Sequence, residues 1–86
     1  MSDDLIHISS AVVSVLPAQR DQVTARLAEL TETDIHFGTD SKIIIVMEAA
    51  SSGILGSKLA EIATWPGVLS ANMVFERVAR LADIGE

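Results

Sequence analysis

The sequence predicts an α+β domain built in the order β-α-β-β-α-β, and three observations carry that expectation. Two stretches, Ile6 to Leu16 and Lys42 to Glu48, are rich in β-branched residues and apolar on both alternating faces, as strands in the middle of a sheet are. Each is followed by a segment with helical spacing of apolar residues and then by a further strand-like run. The two halves also echo each other at an offset of 32 residues: Leu27-Ala28-Glu29-Leu30 matches Leu59-Ala60-Glu61-Ile62, and Val12-Val13 falls on Ile44-Ile45. A duplicated β-α-β unit of this size is the ferredoxin-like split pattern. Right-handed crossovers then place two helices on one face of a four-stranded antiparallel sheet, with the first and third strands central.

The elements follow in order. Ile6 to Leu16 is a strand stopped by Pro17, although Ser9, Ser10 and Ser14 interrupt its apolar character. Pro17 to Leu30 reads as a helix, because proline suits a first turn and Val23, Leu27 and Leu30 form one stripe. Asp34 to Gly38 is a short strand, and Thr39-Asp40-Ser41 is turn-forming. Lys42 to Glu48 is the strongest strand. Ser51 or Ser52 caps a second helix whose stripe is Leu55, Leu59 and Ile62, and Trp65-Pro66-Gly67 ends it. Val68 to Val78 is the last strand. Residues 1–86 are expected to form a single domain, with 1–5 and 79–86 as peripheral ends, the latter either a short helix or disordered.

Composition narrows the function. The 86-residue chain has no cysteine, so disulfides, thiolate catalysis and cysteine metal sites are excluded. A net charge of −6 with six scattered basic residues argues against nucleic acid and favours either a cationic partner or plain solubility. No basic segment precedes an apolar run at the start, and the longest strictly apolar run, Ile43 to Met47, falls far short of the ~20 residues that span a bilayer. A cytoplasmic protein without membrane insertion is the expectation. His7 and His36 stand alone in strand patterns, with only Asp34 two residues from the latter. Ser52-Gly53-Ile54-Leu55-Gly56-Ser57 lacks the lysine of a phosphate loop, and no motif gives Ser9 or Ser10 a base. No catalytic residue, metal or cofactor is assigned.

Side chains alternate across a strand, so the sheet has two distinct faces. The helix-facing set is read as Ala11, Val13 and Val15, then Ile35 and Phe37, then Ile43, Ile45 and Met47, and finally Leu69, Ala71, Met73 and Phe75. The open face is read as Ile6, Ile8, Ser10, Val12 and Ser14 of the first strand, with Ile44 and Val46 of the third. Ser70, Asn72 and Val74 of the last strand flank them, His36 lies on the second, and Lys42, Glu48 and Glu76 form the rim. An apolar centre with a polar, partly acidic border resembles an interaction patch, and a homodimer hiding this face in a sheet-to-sheet contact is an equal reading at this point.

Three runs, His7-Ile8-Ser9-Ser10-Ala11-Val12-Val13, Lys42 to Glu48 and Pro66 to Phe75, resemble the NapD family, small cytoplasmic chaperones of the periplasmic nitrate reductase catalytic subunit NapA. The resemblance spans about His7 to Arg77. The chain departs from the family pattern at Ser41, where Gly is expected, and at Phe75-Glu76, where Tyr-His is expected. The resemblance implies binding of NapA's twin-arginine signal peptide, which keeps the precursor from export until its molybdenum cofactor is loaded. The expected peptide-binding residues are Ile8, Ser10, Val12, Ser14, Ile44, Val46, Glu48, Ser70, Asn72, Val74 and Glu76. The apolar stretch would cover Ile8, Val12, Ile44 and Val46, and the arginines would reach rim carboxylates. The alternative is a homodimeric regulatory or small-ligand-sensing domain of the same fold.

Overall fold

A computed structural model describes residues 5–80. Its strands are β1 (Leu5–Val15), β2 (Thr33–Gly38), β3 (Lys42–Ala49) and β4 (Val68–Arg80), and its helices are α1 (Arg20–Ala28) and α2 (Ser52–Ile62). The sheet is antiparallel in the order β2-β3-β1-β4. The two strands that are apolar on both faces are therefore the central ones, and the α+β ferredoxin-like expectation holds.

Local chemistry explains the boundaries. Pro17 opens a short 3-10 turn, Pro17–Gln19, rather than the α-helix itself, which starts at Arg20. The α2 N-cap is Ser51, whose hydroxyl accepts the Ile54 backbone N–H at 3.2 Å. After α2 the chain turns at Gly67, whose φ of 90° is a left-handed value that glycine adopts without strain. A Cβ there would fall 2.5 Å from the Cβ of Gln19, so the turn also has no room for a side chain. The Gly67 carbonyl accepts the Leu16 N–H at 2.9 Å, which fixes the start of β4 against the end of β1. β4 runs two residues past the expected Val78, pairing Arg80 with Leu5. The tail that follows, 81–86, lies outside the described residues, as do residues 1–4.

One core lies between the sheet and the helices. Ala11, Val13 and Val15 of β1 and Ile43, Ile45 and Met47 of β3 meet Val23 and Leu27 of α1 and Leu55, Leu59 and Ile62 of α2, all buried. The halves' echo has a structural counterpart, since Leu27 and Leu59 occupy matching core positions and Val12 pairs directly with Ile44. Trp65 is buried under the guanidinium of Arg26, whose carbon lies 4.4 Å from the ring centroid. Ser9 is fully buried among the core-facing residues of β1.

The outer strands depart from strict alternation. The β1–β4 ladder shifts register between Ser10 and Ala11 and again between Ser14 and Val15. The first shift leaves Val74 unpaired and the second leaves Leu69 unpaired. Each is an extra residue that reverses the faces of everything beyond it. The expected helix-facing Leu69 is instead 65% exposed, and Val68 takes the position packed against the core. Phe75, also expected to face the helices, sits opposite Ser10 on the other face and is 57% exposed. Glu76, expected on the open rim, sits opposite the buried Ser9 on the helix side. A third shift, in the β2–β3 ladder, leaves out His36 and brings the Phe37 backbone opposite Ile44 rather than in the row of Ile35.

Candidate functional site

The uncovered face is built on the even residues of β1. Ile6, Ile8, Ser10, Val12 and Ser14 are all half-buried, as are Ile44, Val46 and Glu48 of β3. The pairings set out its rows. Ser14 lies between Lys42 and Ser70, Val12 between Ile44 and Asn72, Ser10 between Val46 and Phe75, and Ile8 between Glu48 and Arg77. Asp34 of β2 extends the Ser10 row beyond Val46. The face is thus an aliphatic strip of Ile8, Val12, Ile44 and Val46 with Phe75 standing on its β4 side.

Of the expected site residues, Ile8, Ser10, Val12, Ser14, Ile44, Val46, Glu48, Ser70 and Asn72 share this face. Val74 lies beside it as the extra residue of a bulge, 65% exposed. Glu76 does not belong to it. Phase reversal at Val74 exchanges Glu76 for Arg77 and adds Phe75, and the uninterrupted alternation of Ser70 to Glu76 carries no sign of that exchange. Beyond Ile8, where β3 ends at Ala49 and only β1 and β4 remain paired, lies a cleft of about 340 Å3 lined by Leu5, Ile6, Glu32, Ala49, Ala50 and Ile54. Glu32 joins the sheet here, its carbonyl accepting the Glu48 N–H at 3.0 Å.

Glu76 has other work on the helix side. The Ser52 hydroxyl donates to its Oε2 at 2.5 Å, and His7 Nδ1 lies 2.9 Å from the same oxygen. Ser52 Oγ and His7 Nδ1 are 3.3 Å apart. The Ser52 hydrogen bond, then the His7 hydrogen bond and the attraction of a protonated His7, hold the Glu76 carboxyl below the usual carboxylate range. A serine, a histidine and a carboxylate in contact invite a catalytic reading, but the connectivity contradicts it. In a nucleophilic triad the histidine stands between the other two and takes the serine proton. Here the Ser52 hydroxyl and His7 Nδ1 converge on the same carboxylate oxygen, so the histidine does not stand between the other two. The arrangement ties β1, β4 and the first turn of α2 together. Its members are 24, 45 and 69 residues apart, so no local motif announces it.

No helix among the described residues is long and apolar enough to cross a membrane. Likewise, no group of three or more His, Cys, Asp or Glu residues among them is placed to hold a metal ion.

A solution structure of the E. coli Tat proofreading chaperone protein NapD superposes with a TM-score of 0.74 at 19% identity, covering 81% of this chain and 76% of that one. At that identity the likeness shows the shared fold. A curated relative from Paracoccus pantotrophus, named Chaperone NapD, is 37% identical over 73 residues, which is 85% of this chain. The match spans 65% of that relative's length, just under two thirds. The family model described as NapD protein matches residues 6–80, from the first strand to the end of the last. The chain belongs to the NapD family.

Proposed function

We propose that this chain is a cytoplasmic, non-enzymatic chaperone that binds the twin-arginine signal peptide of the periplasmic nitrate reductase subunit NapA. Binding withholds the precursor from the export machinery until its molybdenum cofactor is in place. The observation that carries the reading is the uncovered sheet face, an aliphatic strip with hydroxyls beside it and carboxylates along one border. A twin-arginine signal peptide has complementary chemistry, with a cationic segment followed by an apolar one. Family membership and the names of the relatives support the same reading.

On this reading the apolar segment covers Ile8, Val12, Ile44 and Val46, with Phe75 as an added apolar contact, and the arginines meet acids of the β2–β3 side. Glu76 is not among the contacts. Buried apolar area supplies affinity, part of which is lost to ordering a flexible peptide.

Titration of labelled NapA signal peptide tests the reading. Wild type is expected to bind saturably. Val12→Asp, which puts a charge in the centre of the strip, is expected to weaken binding by at least about tenfold because a charge desolvated without a partner is costly. Equal affinity in the two proteins would remove the uncovered face as the site. Sedimentation provides a second check: an obligate dimer that hides the sheet in the presence of peptide is incompatible with the proposal.

A further inference from the structure

Exchange of Glu76 for Arg77 gives the uncovered face a charge direction. Row by row, one border carries Asp34 and Glu48, on β2 and β3, with Lys42 at the far end of β3 in the Ser14 row, while the opposite border carries Phe75 and Arg77, on β4. The Glu48 and Arg77 backbones flank Ile8 on either side, about 10 Å apart at two strand spacings. Asp34 and Glu48 are closer. Asp34 pairs with Val46, two residues before Glu48, a diagonal relation that separates Cα atoms by about 7–8 Å. Two consecutive arginines have Cα atoms ~3.8 Å apart, and their long side chains cover the remainder, so one guanidinium can meet each carboxylate.

We propose that Arg77 fixes the direction in which the signal peptide lies on the sheet. The inference rests on the chaperone reading above. The arginine pair sits over Asp34 and Glu48, and the apolar segment crosses β1 at Ser10 and Val12 toward Phe75. The reversed placement brings two guanidinium groups beside Arg77 on a surface that binding dehydrates, where like charges repel strongly. Arg77 therefore acts mainly by excluding the wrong orientation, and the acids attract the right one. The same layout assigns Phe75 to the apolar part of the peptide rather than to the cationic part.

A signal peptide carrying a photo-crosslinker next to its arginines reads the direction. After saturable binding to wild type, adducts are expected in residues 33–48. Arg77→Glu is expected to tighten binding roughly three- to tenfold, as a repulsive charge becomes attractive, and to spread the adducts onto β4. Arg80→Glu is the control, since it makes the same change in net charge opposite Leu5, outside the rows of the face. It should leave the adduct pattern as in wild type. Wild-type adducts mainly on β4, or identical adduct shifts in Arg77→Glu and Arg80→Glu, would overturn the inference while leaving the chaperone reading in place. Absence of saturable binding to wild type would instead sink the chaperone reading, and the inference with it.

Discussion

The two ladders made by β1 differ in kind. Its ladder with β3 runs without interruption from His7–Ala49 to Ser14–Lys42, and the odd residues of both strands from Ser9 to Val15 and from Ile43 to Ala49 are buried. Its ladder with β4 is broken twice, and no residue of β4 is buried. Burial makes the difference. A register slip in the inner pair would drive Ile43, Ile45 and Met47 out of the core together, whereas an extra residue in the outer strand displaces one or two half-exposed side chains. An edge strand tolerates bulges for that reason, and they also discourage pairing with other chains. In this chain the tolerated irregularity decides which charges face the proposed ligand.

Truncating one side chain in each ladder gives the largest expected contrast. Ile45 is fully buried between sheet and helices. Ile45→Ala should cost about 2–5 kcal/mol in urea unfolding, enough to leave a domain of this size marginal or unfolded. Leu69→Ala, at a bulge with 65% exposure, should stay within about 0.5 kcal/mol of wild type. Comparable losses in the two variants would mean that β4 is held as tightly as β3.

Gly67→Ala comes next in size and strikes where the β4 register begins. The change imposes a Cβ at φ 90° and against Gln19. It is expected to cost about 1–3 kcal/mol, by the strain of a left-handed backbone and the displacement of the Gln19 side chain. Amide exchange should accelerate first at Leu16, whose N–H is bonded to the Gly67 carbonyl. Protection unchanged at Leu16 would separate the turn from the register.

How much was legible in the sequence follows from the same contrast. Alternation in Ile6–Leu16 and Lys42–Glu48 identified the central strands and their faces, because burial enforces period two there. The helical stripes identified Val23, Leu27, Leu55, Leu59 and Ile62 as core. Alternation in Val68–Val78 misplaced Leu69, Phe75 and Glu76, since a bulge depends on pairing with β1 and leaves no residue-type signature in a run such as Ser70-Ala71-Asn72-Met73-Val74-Phe75. The register shift at His36 in the β2–β3 ladder is the same case. The contacts of Glu76 with His7 and Ser52 were invisible for a related reason: they exist only once the register has turned Glu76 toward α2.

Glu76→Gln yields the smallest effect and tests the corrected phase directly. Glu76 is held below the usual carboxylate range by the Ser52 hydrogen bond first and by His7 second. A carboxyl with a lowered folded-state value contributes stability that is present above its unfolded value, about 4.3, and is lost as pH falls through the folded one. Below that point both states carry the proton and the contribution is gone. The wild-type urea midpoint should therefore exceed that of Glu76→Gln at pH 7, and the gap should close as the pH is taken from about 4.5 downward. Peptide affinity at pH 7 should be equal in the two proteins, because Glu76 faces α2 while the proposed peptide site is on the far side of the sheet. A gap that persists unchanged at pH 3 would deny the carboxylate its tie to Ser52 and His7. Weakened peptide binding with an unchanged urea midpoint would return Glu76 to the uncovered face and Arg77 to the other, and so restore the unbroken alternation that the bulge at Val74 replaces.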